Sequence, residues 1–381
     1  MRLLLRTLAI LALFPYLGVV FLLMTGTASW SSFGYVAAAG ILLGGLVTLP
    51  DPTPDPLADP EDEAAKKRRR PRGISRAGAL AIVAVMSVRT CTADGGRTMT
   101  VAKSDGGSFG SSRLVNRLVD EGDLALLGAR VAQTSGLYGD DQGEVSPAMR
   151  DAYARMRKEQ GSGIASPVAA TYLGLQSRDG FDMVVIDPVS AAGNVTPTGA
   201  LIFLHGYAGN FEMPCWQMAH AVDGLDLVTA CPSTRFVGDW WSPEGEAILN
   251  RTVEILRARG VSRFVLAGLS NGGYGASELA PRMKGTFAGL ILISGAQADQ
   301  PSPGVPVLLV HGTKDNVAPV EEARRYATKH HGELVELPAG HFALLVRAEE
   351  ANRAIHHFVA PLLQNGSIRT STESVSGPPP T

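Results

Sequence analysis

Between residues 181 and 363, short unbroken apolar runs alternate with helical stretches. The runs are FDMVVIDPV, GALIFLHG, LDLVTACPS, RFVLAGL, AGLILIS, VPVLLVHG and ELVELP. Helical stretches are read over 244–259, 272–283, 320–331 and 349–363. A strand buried on one face alternates apolar and polar residues. Most of these runs do not, so both faces are covered, as in a parallel sheet. Strands interleaved with helices predict an α/β architecture, a doubly wound and mostly parallel sheet. In such sheets the site lies at the carboxyl ends of the strands.

The chain before this region reads differently. TLAILALFPYLGVVFLLM and FGYVAAAGILLGGLVTL carry no charge and are each near the length that crosses a bilayer core. A second apolar span so soon after the first favours a transmembrane hairpin, 1–50, over a cleaved signal peptide. An acidic, Pro-rich and then basic linker, 51–76, follows. Arg2 and Arg6 before the first span, and KKRRRPR after the second, place both ends of the hairpin in the cytoplasm. Residues 77–90 form a third apolar segment, between Arg76 and Arg89, whose flanking arginines would snorkel. If it crosses, as favoured here, the rest of the chain is extracytoplasmic. If it packs on the domain or lies on the surface, the rest is inside. Residues 91–112 read as linker, 113–175 as a helical extension, 176–363 as the α/β domain and 364–381 as a disordered tail.

A formal net charge of -2 gives no case for nucleic acid as a partner. The three cysteines, Cys91, Cys215 and Cys231, show no zinc-ligand spacing, and no metal is expected. Cys215 and Cys231 are either a disulfide, if the domain is exported, or two buried thiols.

Two GxSxG pentapeptides occur, and with 43 glycines in the chain neither is evidence alone. Ser108 sits in Gly/Ser-rich sequence with no buried strand before it and is set aside. Ser270 follows RFVLAGL and precedes NGGYGASELA, a strand and then a helix. A serine on that turn is a nucleophile only if a base takes its proton. Two later strand ends supply the partners: HGTKDNVAP carries Asp315, and PAGHF carries His341. Asp299 is the rival acid, in the loop after AGLILIS. His205 and His220 precede the serine and His311 lies inside a strand end, while His330, His331, His356 and His357 fall on helices. The expected oxyanion donors are the N–H of Asn271 and one from HGYAGN, Tyr207 first and Ala208 second. Trp240 and Trp241 either wall an apolar substrate pocket or pack the following helix on the sheet.

On HGYAG, GLSNGG, HGTKDNVAP and AGH, this half of the chain resembles the α/β-hydrolase superfamily, most nearly its carboxylesterase, dienelactone-hydrolase and polyester-depolymerase groups. The resemblance implies hydrolysis of a small-molecule ester or lipid-like substrate through an acyl-enzyme, without a cofactor. A peptidase or acyltransferase would use the same residues, and an inactive hydrolase-fold binding protein is the reading from another class.

Overall fold

The computed structural model of the chain describes residues 2–24, 29–49, 63–93, 96–106, 114–136, 143–161, 163–188, 197 and 199–364. Ser108, residues 51–62, 94–95 and 107–112 of the expected linkers, and all but the first residue of the expected tail lie outside the described residues.

Three long helices come first: α1 (Arg2–Met24), α2 (Trp30–Val47) and α3 (Glu63–Thr92). Each is long and apolar enough to cross a membrane. Helix α2 packs against both α1 and α3. Small residues permit the approach of α3: a Cβ on Gly78 would stand 2.7 Å from the Leu42 Cα and 2.9 Å from the Ala38 carbonyl oxygen. The apolar span on α3 runs from Pro71 to Thr92. That is longer than its uncharged stretch, because Arg72, Arg76 and Arg89 lie within it. Arg89 does not snorkel. It is buried, donates to the Ile164 carbonyl at 3.1 Å and lies 3.8 Å from Asp120.

The next elements are β1 (Met99–Lys103), α4 (Glu121–Thr134), α5 (Val145–Gln160) and α6 (Val168–Tyr172). Strand β1 falls in sequence read as linker. It is a five-residue edge strand with one fully buried side chain, Met99, so it lacks the apolar run that marks the central strands. Asp120 caps α4 by accepting from the Asp123 N–H at 3.2 Å.

The remaining chain runs β2 (Asp182–Ile186), β3 (Gly199–Leu204), α7 (Glu212–Ala221), β4 (Leu227–Pro232), α8 (Pro243–Ala258), β5 (Arg263–Leu269) and α9 (Asn271–Arg282). It ends with β6 (Gly289–Ile293), β7 (Val307–Gly312), α10 (Val320–His330), β8 (Glu333–Leu337), α11 (Ala343–Val346) and α12 (Ala348–Gln364). The eight strands form one sheet in the order β1-β2-β4-β3-β5-β6-β7-β8. Strands β1 and β2 are antiparallel to their neighbours, and the rest are parallel.

Successive side chains on a strand point to opposite faces. Leu201, Phe203, Val265, Ala267, Ile291 and Ile293 therefore join one core, and Ala200, Ile202, Leu204, Leu266, Leu290 and Leu292 the other. The first core also takes in α4, α5, α7 and α12, and the second α8, α9 and α10. Cys215 on α7 and Cys231 on β4 are joined as a disulfide, which settles their pairing, while Cys91 is free and exposed.

Candidate active site

The strand order turns at β3, whose successor β4 lies on one side and β5 on the other. A crevice opens at the carboxyl end of such a switch. Ser270 stands there, between β5 and α9, with φ 54° and ψ -118°. A non-glycine residue with positive φ is strained, and the surroundings hold it: the Ser270 N–H donates to Ile293 O at 2.8 Å, and Ser270 O accepts from the Tyr274 N–H at 3.0 Å. Glycine is required at Gly268 and Gly272, because a Cβ at either would overlap backbone atoms of Gly272 and Leu204 respectively.

His341 lies in the loop after β8 and reaches both partners. Its Nδ1–H donates to Asp315 Oδ2 at 2.8 Å, and its Nε2 is 3.0 Å from the Ser270 hydroxyl. Asp315, in the loop after β7, is fully buried at its side chain. Its Oδ1 accepts from the N–H groups of Val317 and Ala318, each at 2.9 Å. Burial alone would push this carboxyl up. Hydrogen bonds from His311 and His341, the charge of His341 and the Ala318 N–H outweigh it and hold Asp315 well below the usual carboxylate range. Asp299, the rival acid, is exposed and lines a surface hollow with Arg324, Arg325, Thr328 and Lys329.

This is the α/β-hydrolase fold. Two of its histidines carry more here than their sequence positions suggest. His311 places Nε2 at 2.8 Å from Ala318 O and 3.3 Å from Asp315 Oδ2. Both are acceptors, so Nε2 carries the proton and shares it, and Asp315 is held by a second imidazole. The signal available in the sequence was the four-residue spacing from His311 to Asp315 across a strand end. His205 is buried beside the loop that follows β3. Its Nδ1–H donates to Gly206 O at 2.8 Å, and its Nε2 accepts from the Thr234 N–H at 3.1 Å. Burial drives its pKa down to about 4, so the ring is a neutral strut.

The loop that His205 braces lies against the serine, since a Cβ on Gly206 would stand 3.1 Å from the Ser270 Cβ. Asn271 opens α9, where first-turn N–H groups have no acceptor within the helix. Its side-chain amide donates to Val237 O at 2.7 Å. The Tyr207 N–H has no acceptor among the described residues. Ala208 does not offer its N–H to the site, because it donates to Phe236 O at 2.9 Å.

The two tryptophans separate. Trp240 is not a pocket wall: it is fully buried, donates from Nε1 to His205 O at 2.9 Å and packs on Gly275 of α9. Trp241 is at the surface, 37% exposed. Among the described residues no cluster of His, Cys, Asp and Glu is arranged to hold a metal ion.

No family model and no curated protein matches the chain. Solved structures do. Est1E from Butyrivibrio proteoclasticus is 16% identical over 49% of this chain and 95% of its own, with a TM-score of 0.40. A thermophilic esterase from Thermogutta terrifontis is 17% identical over 48% of this chain and 95% of its own, at 0.38. XC6422 from Xanthomonas campestris, described as an a/b serine hydrolase without lid, is 18% identical over 48% and 89%, at 0.37. Likenesses this distant carry no chemistry across, which has to rest on the residues of this chain.

Proposed function

We propose that the protein is a membrane-anchored serine hydrolase that cleaves carboxylic esters through an acyl-enzyme. The carrying observation is the continuous relay from the Ser270 hydroxyl to His341 to Asp315, at 3.0 and 2.8 Å. Ser270 attacks the ester carbonyl while His341 Nε2 takes its proton. Asp315, kept ionised by its four donors, fixes the ring with Nε2 free and stabilises the imidazolium. The N–H groups of Asn271 and Tyr207 receive the developing oxyanion; each such donor contributes about 3 kcal/mol. His341 then protonates the leaving alcohol, and water enters by the same route to release the acid.

Placement of the catalytic domain outside the cytoplasm is part of the reading. Arg2 and Arg6 precede the first span and the basic run precedes the third, so an odd number of crossings carries the domain to the other side. The Cys215–Cys231 disulfide supports an oxidising compartment. A fluorophosphonate probe tests the chemistry: it should label the wild type and not Ser270→Ala. Labelling that survives that substitution would defeat the assignment. Protease protection of the domain in sealed vesicles of known orientation tests its side.

A further inference from the structure

Among the described residues after Ser135, the exposed large apolar side chains are Tyr172, Leu173, Tyr207, Val237, Trp241 and Val317. Isolated apolar residues are normal on any surface. These six are not scattered. Tyr207 follows β3, Val237 and Trp241 lie in the loop after β4, and Val317 is two residues beyond Asp315. Tyr172 and Leu173 end α6, and α6 abuts the β3 loop: a Cβ on Gly209 would stand 3.0 Å from Thr171 and 3.7 Å from Tyr172. The rings of Tyr172 and Tyr207 both meet Phe236 edge-on, with centroids 5.1 and 4.8 Å away. The exposed large apolar side chains of residues 176–364 thus gather at the strand ends around Ser270, and Tyr172 and Leu173 of the helical extension adjoin them in one collar, apart from Leu114 and Val131 earlier in that extension.

The same edge is tied to the ends of the apolar helices. Ser29, the N-cap of α2, donates from its N–H and hydroxyl to Asp123 Oδ2 at 2.8 and 2.6 Å. Two residues earlier on α4, Glu121 accepts from the N–H groups of Glu212 and Met213 at 2.8 and 3.2 Å. Those residues begin α7, into which the Tyr207 loop runs. A second tie comes from the last turn of α3, where Arg89 donates to Ile164 O at 3.1 Å. Leu173 is nine residues on, at most about 30 Å of fully extended chain. Five of those residues are coiled in α6. The collar is thus linked to the ends of α2 and α3 through α4, α7 and the chain from Ile164 to Leu173, and α1 and α3 expose Leu11, Phe14, Phe21 and Leu80.

We propose that this collar seats on the outer surface of the bilayer the helices cross, and that the substrate is an acyl ester whose apolar chain is drawn from that leaflet. The inference rests on the hydrolase reading above and names the source of its substrate. Apolar side chains that leave water on seating contribute about 1.5 kcal/mol or more each, roughly tenfold.

The test uses the full chain reconstituted in palmitoyl-oleoyl-phosphatidylcholine vesicles. Two probes are compared: p-nitrophenyl butyrate in solution and p-nitrophenyl palmitate embedded in the vesicles. The ratio of embedded to soluble kcat/KM should fall about tenfold in Leu173→Gln, and again in Val237→Gln. Both side chains are exposed, so the fold tolerates the changes, and the soluble probe reports any general damage. An unchanged ratio in both variants, with soluble turnover intact, overturns the inference and leaves the hydrolase reading standing. So does an unchanged ratio with loss of self-association, which would make the collar an interface between copies. Absence of wild-type turnover on either probe, together with no labelling of Ser270, would instead remove the hydrolase reading and the inference with it.

Discussion

Two buried carboxyl groups, one in the site and one where α7 meets the helical extension, are treated in opposite ways. Asp315 has no exposed side-chain surface and is surrounded by donors: two imidazoles and two backbone N–H groups. It stays ionised. Glu212, where α7 meets the helical extension, is 1% exposed, and neither of its oxygens has a partner among the described residues. Burial and the nearby charges of Glu121 and Asp120 push it well above the usual range, against the opposing charge of Arg89. It stays neutral. The interior is no more generous to one than to the other. What differs is whether strand-end loops were arranged to supply donors, and they were where a charge has work to perform in the proposed mechanism.

The contrast breaks first at its catalytic end. Ser270→Ala should lower kcat/KM on p-nitrophenyl butyrate by on the order of 10⁶-fold. A loss under a hundredfold would mean that Ser270 is not the nucleophile. Asp315→Asn should cost about 10⁴-fold in kcat, since the amide no longer selects the tautomer that leaves Nε2 free. A loss under tenfold would show that His341 is oriented without the carboxylate. The Asp315 pKa is depressed in the fold, so its stabilising contribution is present above its ordinary value of 3.8 and is lost as pH falls through the depressed folded value. Acid unfolding of the wild type should carry that step, and Asp315→Asn should lack it.

Stability measurements sharpen the other side. The disulfide closes a loop of sixteen residues across the first core, and its removal in Cys215→Ser/Cys231→Ser should cost about 3 kcal/mol, read from denaturant midpoints. The smallest effect should come from Glu212→Gln. The folded pKa of Glu212 is raised, so the stability of its neutral form is complete below the ordinary value of 4.5 and declines as pH rises toward the folded value. The substitution should raise Tm by roughly 2–4 °C at pH 8 and leave it unchanged at pH 4. An equal shift at both pH values would show that packing rather than charge sets the difference.

Much of this arrangement is written locally. The unbroken runs that became β3, β5, β6 and β7 had to be buried on both faces, and the strand-serine-helix order around Ser270 left few places for a nucleophile. Strand β1 was hidden because a five-residue edge strand with one buried side chain carries almost no pattern. The roles of His311 and His205 were hidden for another reason. The Thr234 N–H that braces His205 arrives by a backbone path that no residue spacing reveals, and the four-residue spacing from His311 to Asp315 does not show that the ring turns onto the carboxylate. Trp240 and Trp241 are adjacent and chemically alike, yet one is core and the other surface.

Sequence alone determined the central strands and in what order the reactive side chains would follow one another, because periodicity and glycine placement act over a few residues. Only tertiary structure decided which acid meets His341, which N–H groups remain unspent beside Ser270, and that exposed apolar residues far apart in the chain gather at the strand ends. Those are facts of convergence, and convergence depends on how separate strands lie side by side in the sheet.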